Sequence, residues 1–361
     1  MGWLAWLRAQ ANGGEGDGGG GVADGGANAG GSAGSTGGAA SRAGVPGSDG
    51  SLVPPRISGP YTSGNLSLFL IHGPDKAELR EFITLEEAMA DNRVEVKETG
   101  NVGSLAIKNL GDVAVFIQSG DIVMGGKQDR ALQYDMILTP KSGFVPINSF
   151  CVERGRWQKR QGESVDNFHS SGHHLSSKDM KMAAKYYNNQ NEVWNQVARL
   201  QMESASNLAM SIGSVSGPSP SSLPQTMENE NVKKVIDKYV GDLAKAPDGQ
   251  SDVVGYAFAI NGKVNSADVY ACNALFKKMY SKLLKAAATE ALAADDKKPH
   301  ATPTVEQVAY CMDDADGAEA KTQAVTHKTR NILRESPHNV LFEAQDMEKN
   351  DAWVHRNYVT K

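Results

Sequence analysis

Four short runs of strand-forming residues crowd into one stretch of the chain, at 94–97, 105–109, 113–118 and 121–124, with Gly103, Gly111 and Gly120 in the turns between them. Parallel neighbours need a crossover of a dozen or more residues. Runs this close together are therefore expected to pair antiparallel. A strand at 65–71 precedes them, and runs at 136–139 and 144–153 continue the sheet. Helices enter where the apolar period changes from two to 3.6. Thr84 with Glu87 three residues on forms a capping box, and Val193, Trp194, Val197 and Leu200 share one helical face. Phe276, Met279, Leu283, Ala287 and Ala291 mark the longest stripe. Just before it, Asn261-Gly262 joins runs at 253–261 and 263–270 into a hairpin. Strand character returns at 332–335, 340–344 and 353–359. The expected fold class is α+β: a mostly antiparallel sheet covered by helices.

Residues 9–56 are nearly all Gly, Ala, Ser and Asp. Such a stretch buries too little apolar surface to offset its ordering entropy, so residues 1–56 are expected to be a disordered tail. The GGSAG within it, Gly30 to Gly34, matches a nucleophile-elbow pattern but lacks the strand and helix that would give it meaning. Residues 57–361 are expected to form a single domain, with a flexible Ser/Pro/Asn-rich loop at about 204–230.

The formal net charge of −5 argues against nucleic acid as a partner, since phosphate backbones demand a clustered basic surface. No run reaches the roughly 18–20 apolar residues that span a bilayer. The apolar start, Trp3 to Leu7, lacks a basic flank and is a poor signal peptide. The three cysteines, Cys151, Cys272 and Cys311, are widely spaced with no CxxC, which suits a reducing compartment better than a disulfide framework or zinc. A cytoplasmic location without a cofactor is expected.

Several well-known patterns nearly match and fail. Gly120 to Gln128 resembles a phosphate-binding loop, but the Lys comes one residue late and Gln128 stands where Ser or Thr would hold Mg²⁺. Met312 to Gly317 resembles a calcium loop, yet its end positions fall on Met312 and Gln323, so it reads as a solvated acidic turn. His169, His173 and His174 lack zinc-protease spacing and read as an exposed Ser/Gly-rich loop.

One block carries more information: Gly125-Gly126-Lys127-Gln128-Asp129-Arg130, then Cys151-Val152-Glu153-Arg154-Gly155-Arg156-Trp157 at the end of the 144–153 run. Alternation puts Val145, Ile147, Ser149, Cys151 and Glu153 on one face and Phe144, Asn148, Phe150 and Val152 on the other. Both faces contain apolar residues, so the strand is expected to be central, with Cys151 inside as core and Glu153 emerging at its end. At these motifs, and in the helix start from Thr84, the chain resembles the ARG and rhodanese-phosphatase-superfamily-associated protein domain, a family without an assigned activity. The resemblance runs from about Pro60 to Val197 and resumes at Gly255 to Lys263. The family's name implies, by association only, a link to ADP-ribose or nucleotide metabolism.

The leading expectation is a site for a small anionic ligand bearing phosphate or carboxylate. Lys127, Gln128, Arg130 and Arg156 would hold the anion, Glu153 would orient one Arg or a ligand hydroxyl, and Trp157 would flank the cleft. Two other classes stay open. A hydrolase or transferase on an ADP-ribose-like or nucleotide substrate would use Glu153 as general base. A structural or interaction module would use the same charges as ion pairs.

Overall fold

The computed structural model describes residues 45–46, 52–53, 56–76, 81–159, 168–216 and 219–361. The tail expected over 1–56 lies almost wholly outside the described residues. From Arg56 onward the chain runs β1 (Arg56–Ser63), β2 (Leu66–His72), β3 (Ile83–Thr84), α1 (Leu85–Ala90), β4 (Val94–Glu98), β5 (Ser104–Asn109), β6 (Val115–Ile117), β7 (Asp121–Gly125), β8 (Arg130–Leu132), β9 (Met136–Leu138), β10 (Val145–Cys151) and β11 (Phe168–His174). Four helices and a short turn of helix follow: α2 (Lys178–Lys185), α3 (Gln190–Asn207), α4 (Ile212–Val215), α5 (Leu223–Glu228) and α6 (Glu230–Leu243). The hairpin β12 (Val253–Ile260) and β13 (Lys263–Tyr270) leads to α7 (Asn273–Ala294) and α8 (Val305–Asp316), and the chain closes with β14 (Ala320–Ala324), β15 (Thr329–Glu335), β16 (Asn339–Asp346) and β17 (Ala352–Thr360).

The fold is α+β with large antiparallel sheets. An eight-stranded sheet runs β14-β15-β16-β17-β13-β12-β2-β1 and a six-stranded one β11-β7-β8-β10-β5-β4. A three-stranded sheet, β9-β6-β3, contains an exception to the antiparallel expectation: β3 and β6 pair in parallel, Ile83 with Val115. Enough chain lies between them, including α1, β4 and β5, to make the return. Helix α7 is buried along most of its length and packs against both β12 and β11, so the two larger sheets share it. Its Phe276, Met279, Leu283, Ala287 and Ala291 are all in the core, as their spacing predicts.

Other expectations change. The stretch 204–230 is mostly helical: the end of α3, then α4, α5 and the start of α6. Ser222 caps α5 by accepting from Gln225 N, with Pro224 in the first turn, and Leu223 and Met227 are buried. Ser and Pro there start helices rather than keep the backbone irregular. His169 to His174 belong to a strand, β11, whose last residue is buried, because β7 is an apolar strand that needs an edge partner. Met312 to Asp316 are the last turns of α8, whose apolar face docks Met312 and Ala315 into the core.

Candidate functional site

The signature assembles around a ladder. Strand β8 pairs antiparallel with β10 so that Arg130 lies opposite Cys151. The turn before β8 and the segment after β10 therefore meet at one edge, with Val152 N donating to Asp129 O at 3.0 Å. The turn depends on glycine. Gly126 has φ +53°, and a Cβ there would meet the Phe168 ring at 2.3 Å and Glu98 Oε1 at 2.7 Å.

Glu153 does not emerge at the strand end. It is fully buried, because Glu153 forms a bridge with Ser222 and the start of α5 covers it, Leu223 N donating to Val152 O at 3.1 Å. Arg156 Nε donates to Glu153 Oε2 at 2.7 Å, and Arg156 Nη2 to Asp129 Oδ1 at 3.3 Å. Asp129 N also donates to Glu153 Oε2, while Ser219 Oγ donates to Glu153 Oε1 and Ser222 Oγ to Asp129 Oδ2. Gln128 Nε2 donates to the Glu153 carbonyl at 3.0 Å. Glu153, Asp129 and Arg156 thus form a buried clasp in which one guanidinium bridges two carboxylates.

Arg130 lies beside this clasp and is differently placed. Its side chain is wholly buried, with Nη1 donating to Gln128 Oε1 at 3.1 Å and Nη2 only 3.7 Å from Glu98 Oε2. Its Nε and Nη2 have no hydrogen-bond acceptor among the described residues. Trp157, 44 % exposed, lies across the guanidinium at 5.7 Å and also meets the Lys127 ammonium at 5.1 Å. Lys127 N is held by Glu98 Oε1 at 2.9 Å. Burial pushes the Cys151 thiol above its ordinary range despite the nearby Arg130 charge. All six expected residues, Lys127, Gln128, Arg130, Glu153, Arg156 and Trp157, therefore lie in one neighbourhood. The expectation missed Glu98, Ser219 and Ser222, which come from distant segments. Asp129 lay within the motif and was legible there.

A family model described as ARG and Rhodanese-Phosphatase-superfamily-associated Protein domain matches residues 55–359. The chain belongs to this family. No curated protein and no solved structure matches it. The family match takes in the signature and every described strand and helix from β1 to α8, so the tail before residue 55 is the one long segment outside the family's domain.

A second polar cluster inside the family's domain escaped the sequence reading. On the inner face of the eight-stranded sheet, register pairs Tyr270 with His355 and Asp268 with Asn357. His355 is wholly buried between two carboxylates, Nδ1 to Asp135 Oδ2 at 2.7 Å and Nε2 to Asp268 Oδ1 at 3.1 Å, with Tyr270 stacked on it at 4.6 Å. Burial alone would lower the imidazole pKa; Asp135 and Asp268 reverse this and hold it above its ordinary value. Asp135 experiences the opposite balance, burial outweighed by His355 and Lys185, and is held below its ordinary value. Lys178, Lys181 and Lys185 share one face of α2 and turn toward this sheet, Lys185 Nζ donating to Asn357 Oδ1 at 2.9 Å. Burial pushes Lys185 down to about 8, with Asp135 and Asp268 partly offsetting it. Nearby, Asp121 pairs with Lys282, and burial, aided by Lys181 and Lys282, pushes His174 down to about 3. Its only trace in the sequence is a polar residue at alternate positions of apolar strands, Ser266, Asp268 and Tyr270 in one and His355 and Asn357 in the other, which does not say which face is buried.

Proposed function

We propose that the domain binds a small anionic ligand, bearing phosphate or carboxylate, at Arg130, with Lys127 and Trp157 at the entrance. The observation that carries this reading is the buried Arg130 guanidinium whose Nε and Nη2 lack acceptors. A guanidinium offers a planar fork suited to an oxyanion, and an unfilled buried donor costs about 1–3 kcal/mol. An oxyanion seated there would fill both positions. Trp157 is exposed and stacks on both cations, so a swing of its ring would uncover the Arg130 edge.

Glu153 fits the role of an orienting carboxylate better than that of a general base. Both its oxygens are already engaged, Oε2 by Arg156 and Asp129 N and Oε1 by Ser219, so neither is turned toward a substrate proton. A structural reading is favoured by the closed Arg156 pairing. It differs from the binding reading at Arg130 alone.

The test is titration of the full chain with inorganic phosphate, ADP-ribose and acetate, followed by thermal shift and by tryptophan fluorescence. Binding predicts a rise in the midpoint with at least one anion, about 2.7 kcal/mol at a hundred times its Kd. A Trp157→Phe variant should lose the fluorescence change while keeping the thermal shift, and Lys127→Ala should weaken both. If no anion moves the midpoint at millimolar concentration, the signature is a structural clasp.

A further inference from the structure

We propose that Lys185 is a carbonyl-reactive amine, and that the cavity in front of it receives a small neutral aldehyde or ketone, held as an imine. This site is separate from the Arg130 signature and does not rest on the reading given for it. The cavity is bounded by Tyr134, Asp135, Lys185, Asn331, Leu333 and Phe342. Its volume is about 30 Å³. A single water needs roughly 10–15 Å³ of such space, so the cavity suits a compound of two or three carbons and excludes a nucleotide.

The walls select the ligand's charge. Leu333 and Phe342 form an apolar side. Asp135 and Glu343 line the same cavity and are already paired with His355 and Arg356, so those two cations are taken up and the wall carries no spare counter-charge from them for an anionic ligand; a neutral carbonyl needs none. Lys185 faces this space from a buried position, its Nζ 4.4 Å from the Phe342 ring. Its hydrogen-bond acceptor is the neutral amide oxygen of Asn357 rather than a carboxylate. That setting favours release of the ammonium proton, in line with a pKa pushed down to about 8. Below pH 8 its unprotonated fraction is then on the order of a hundredfold that of an exposed lysine.

The chemistry balances with the groups present. The ammonium first gives up one proton. The nitrogen lone pair then attacks the carbonyl carbon while the C=O π pair moves to oxygen; the oxygen takes a proton and the nitrogen gives up a second one, which leaves a neutral carbinolamine. The C–O bond breaks, the oxygen takes a second proton and leaves as water, and the nitrogen lone pair closes the C=N bond. The net change is ammonium plus carbonyl to protonated imine plus water. Asp135, which lines the same cavity and pairs through Oδ2 with the His355 imidazole, is a carboxylate of the wall able to take up and return these protons. Lys181, also buried on α2, adds positive charge from behind and further favours the amine form.

The experiment uses the native full chain at pH 8 with propanal or glycolaldehyde and cyanoborohydride, which delivers hydride to the imine carbon and fixes it as a secondary amine. Peptide mapping then locates the adduct. Lys185 should be labelled at least about tenfold faster than the exposed Lys234 and Lys238, with saturation in aldehyde, and the preference should vanish in denaturing urea. Glyoxylate, an aldehyde carrying a negative charge, should show a smaller Lys185-to-Lys238 labelling ratio than either neutral aldehyde. Lys185 left unmodified, or modified no faster than Lys238, overturns the proposal. An equal ratio with glyoxylate overturns the assignment of a neutral ligand. Because the wild-type protein carries the whole comparison, a variant that fails to fold cannot obscure it.

Discussion

At the scale of single residues, Arg156 and Arg130 separate structure from binding. Arg156 holds two buried carboxylates, Glu153 and Asp129. Removing it strands both without a counter-charge. Breaking a buried pair from one side costs about 3–5 kcal/mol. Arg156→Met is therefore expected to lower the unfolding free energy from urea titration by that order, and Arg156→Lys to recover part of the loss, since a point charge replaces the fork. An Arg156→Met protein as stable as wild type would remove the clasp from the stability of the fold. Cys151 makes an opposite kind of prediction. Its thiol is buried in β10 and titrates above the ordinary range, so the thiolate is scarce and inaccessible. Cys311, half-buried on α8, should be alkylated by iodoacetamide in the native protein well before Cys151. Faster reaction at Cys151 would make it a nucleophile candidate.

Among the elements, α1 shows how local signals and tertiary contacts combine. Thr84 Oγ1 accepts from Glu87 N at 3.2 Å and Glu87 Oε2 accepts from Thr84 N at 2.8 Å, closing the capping box. Glu87 also pairs with Lys278 of α7 at 3.0 Å, so the same carboxylate ties the cap to the central helix. Thr84→Ala should cost about 1 kcal/mol, the usual worth of an N-cap. Glu87→Gln keeps the reciprocal hydrogen bond and should cost less. Equilibrium denaturation of the two variants measures the difference; a larger loss for Glu87→Gln would mean the Lys278 pair matters more than the cap. Strand β11 shows an element that sequence pattern conceals. Its Ser, Gly and His composition suggests a loop, yet His174 seats its ring over Gly120, where an added Cβ would lie 2.5 Å from the imidazole. Gly120, at φ +98°, is the residue that allows the strand to dock.

For the whole molecule, the two buried histidines give opposite pH dependences. His355 has a folded pKa above its ordinary 6.5, so its contribution is complete below pH 6.5 and is lost as pH rises through the folded value. His174 is depressed to about 3, so its neutral form is favoured by folding. That contribution is present above pH 6.5 and is lost as pH falls from there toward 3. Taken together they place their joint optimum near 6.5. The expected result is seen by difference. Wild type minus His355→Asn should show stability falling above pH 6.5, and wild type minus His174→Asn should show it falling below. Between pH 6.5 and 3.8 the second slope precedes any loss from Asp135, whose ordinary value is 3.8 and whose folded value is lower still. Flat difference curves would mean that neither ring changes its environment on folding.

What the sequence determined by itself was local. Apolar period, glycine spacing and the Asn261-Gly262 turn gave the antiparallel α+β class, the β12–β13 hairpin and the α7 stripe, because each depends on neighbours a few residues away. The signature residues were legible as a group since two motifs flank one strand, and antiparallel return brings such flanks together. Burial of Glu153 was not legible. It depends on Ser222 and Leu223, about seventy residues on, folding back as a capped helix over the strand end. The His355 cluster was hidden for the same reason. Asp135, Asp268, Lys185 and His355 come from four segments, and nothing local states that a polar side chain in an apolar strand faces inward rather than outward. Only the register between β13 and β17, and the docking of α2 across them, turned those charges into the same interior space. Long-range pairing is fixed by burial of whole faces, and one residue of slip in β13 or β17 would have sent Asp268 or His355 to the other side of the sheet.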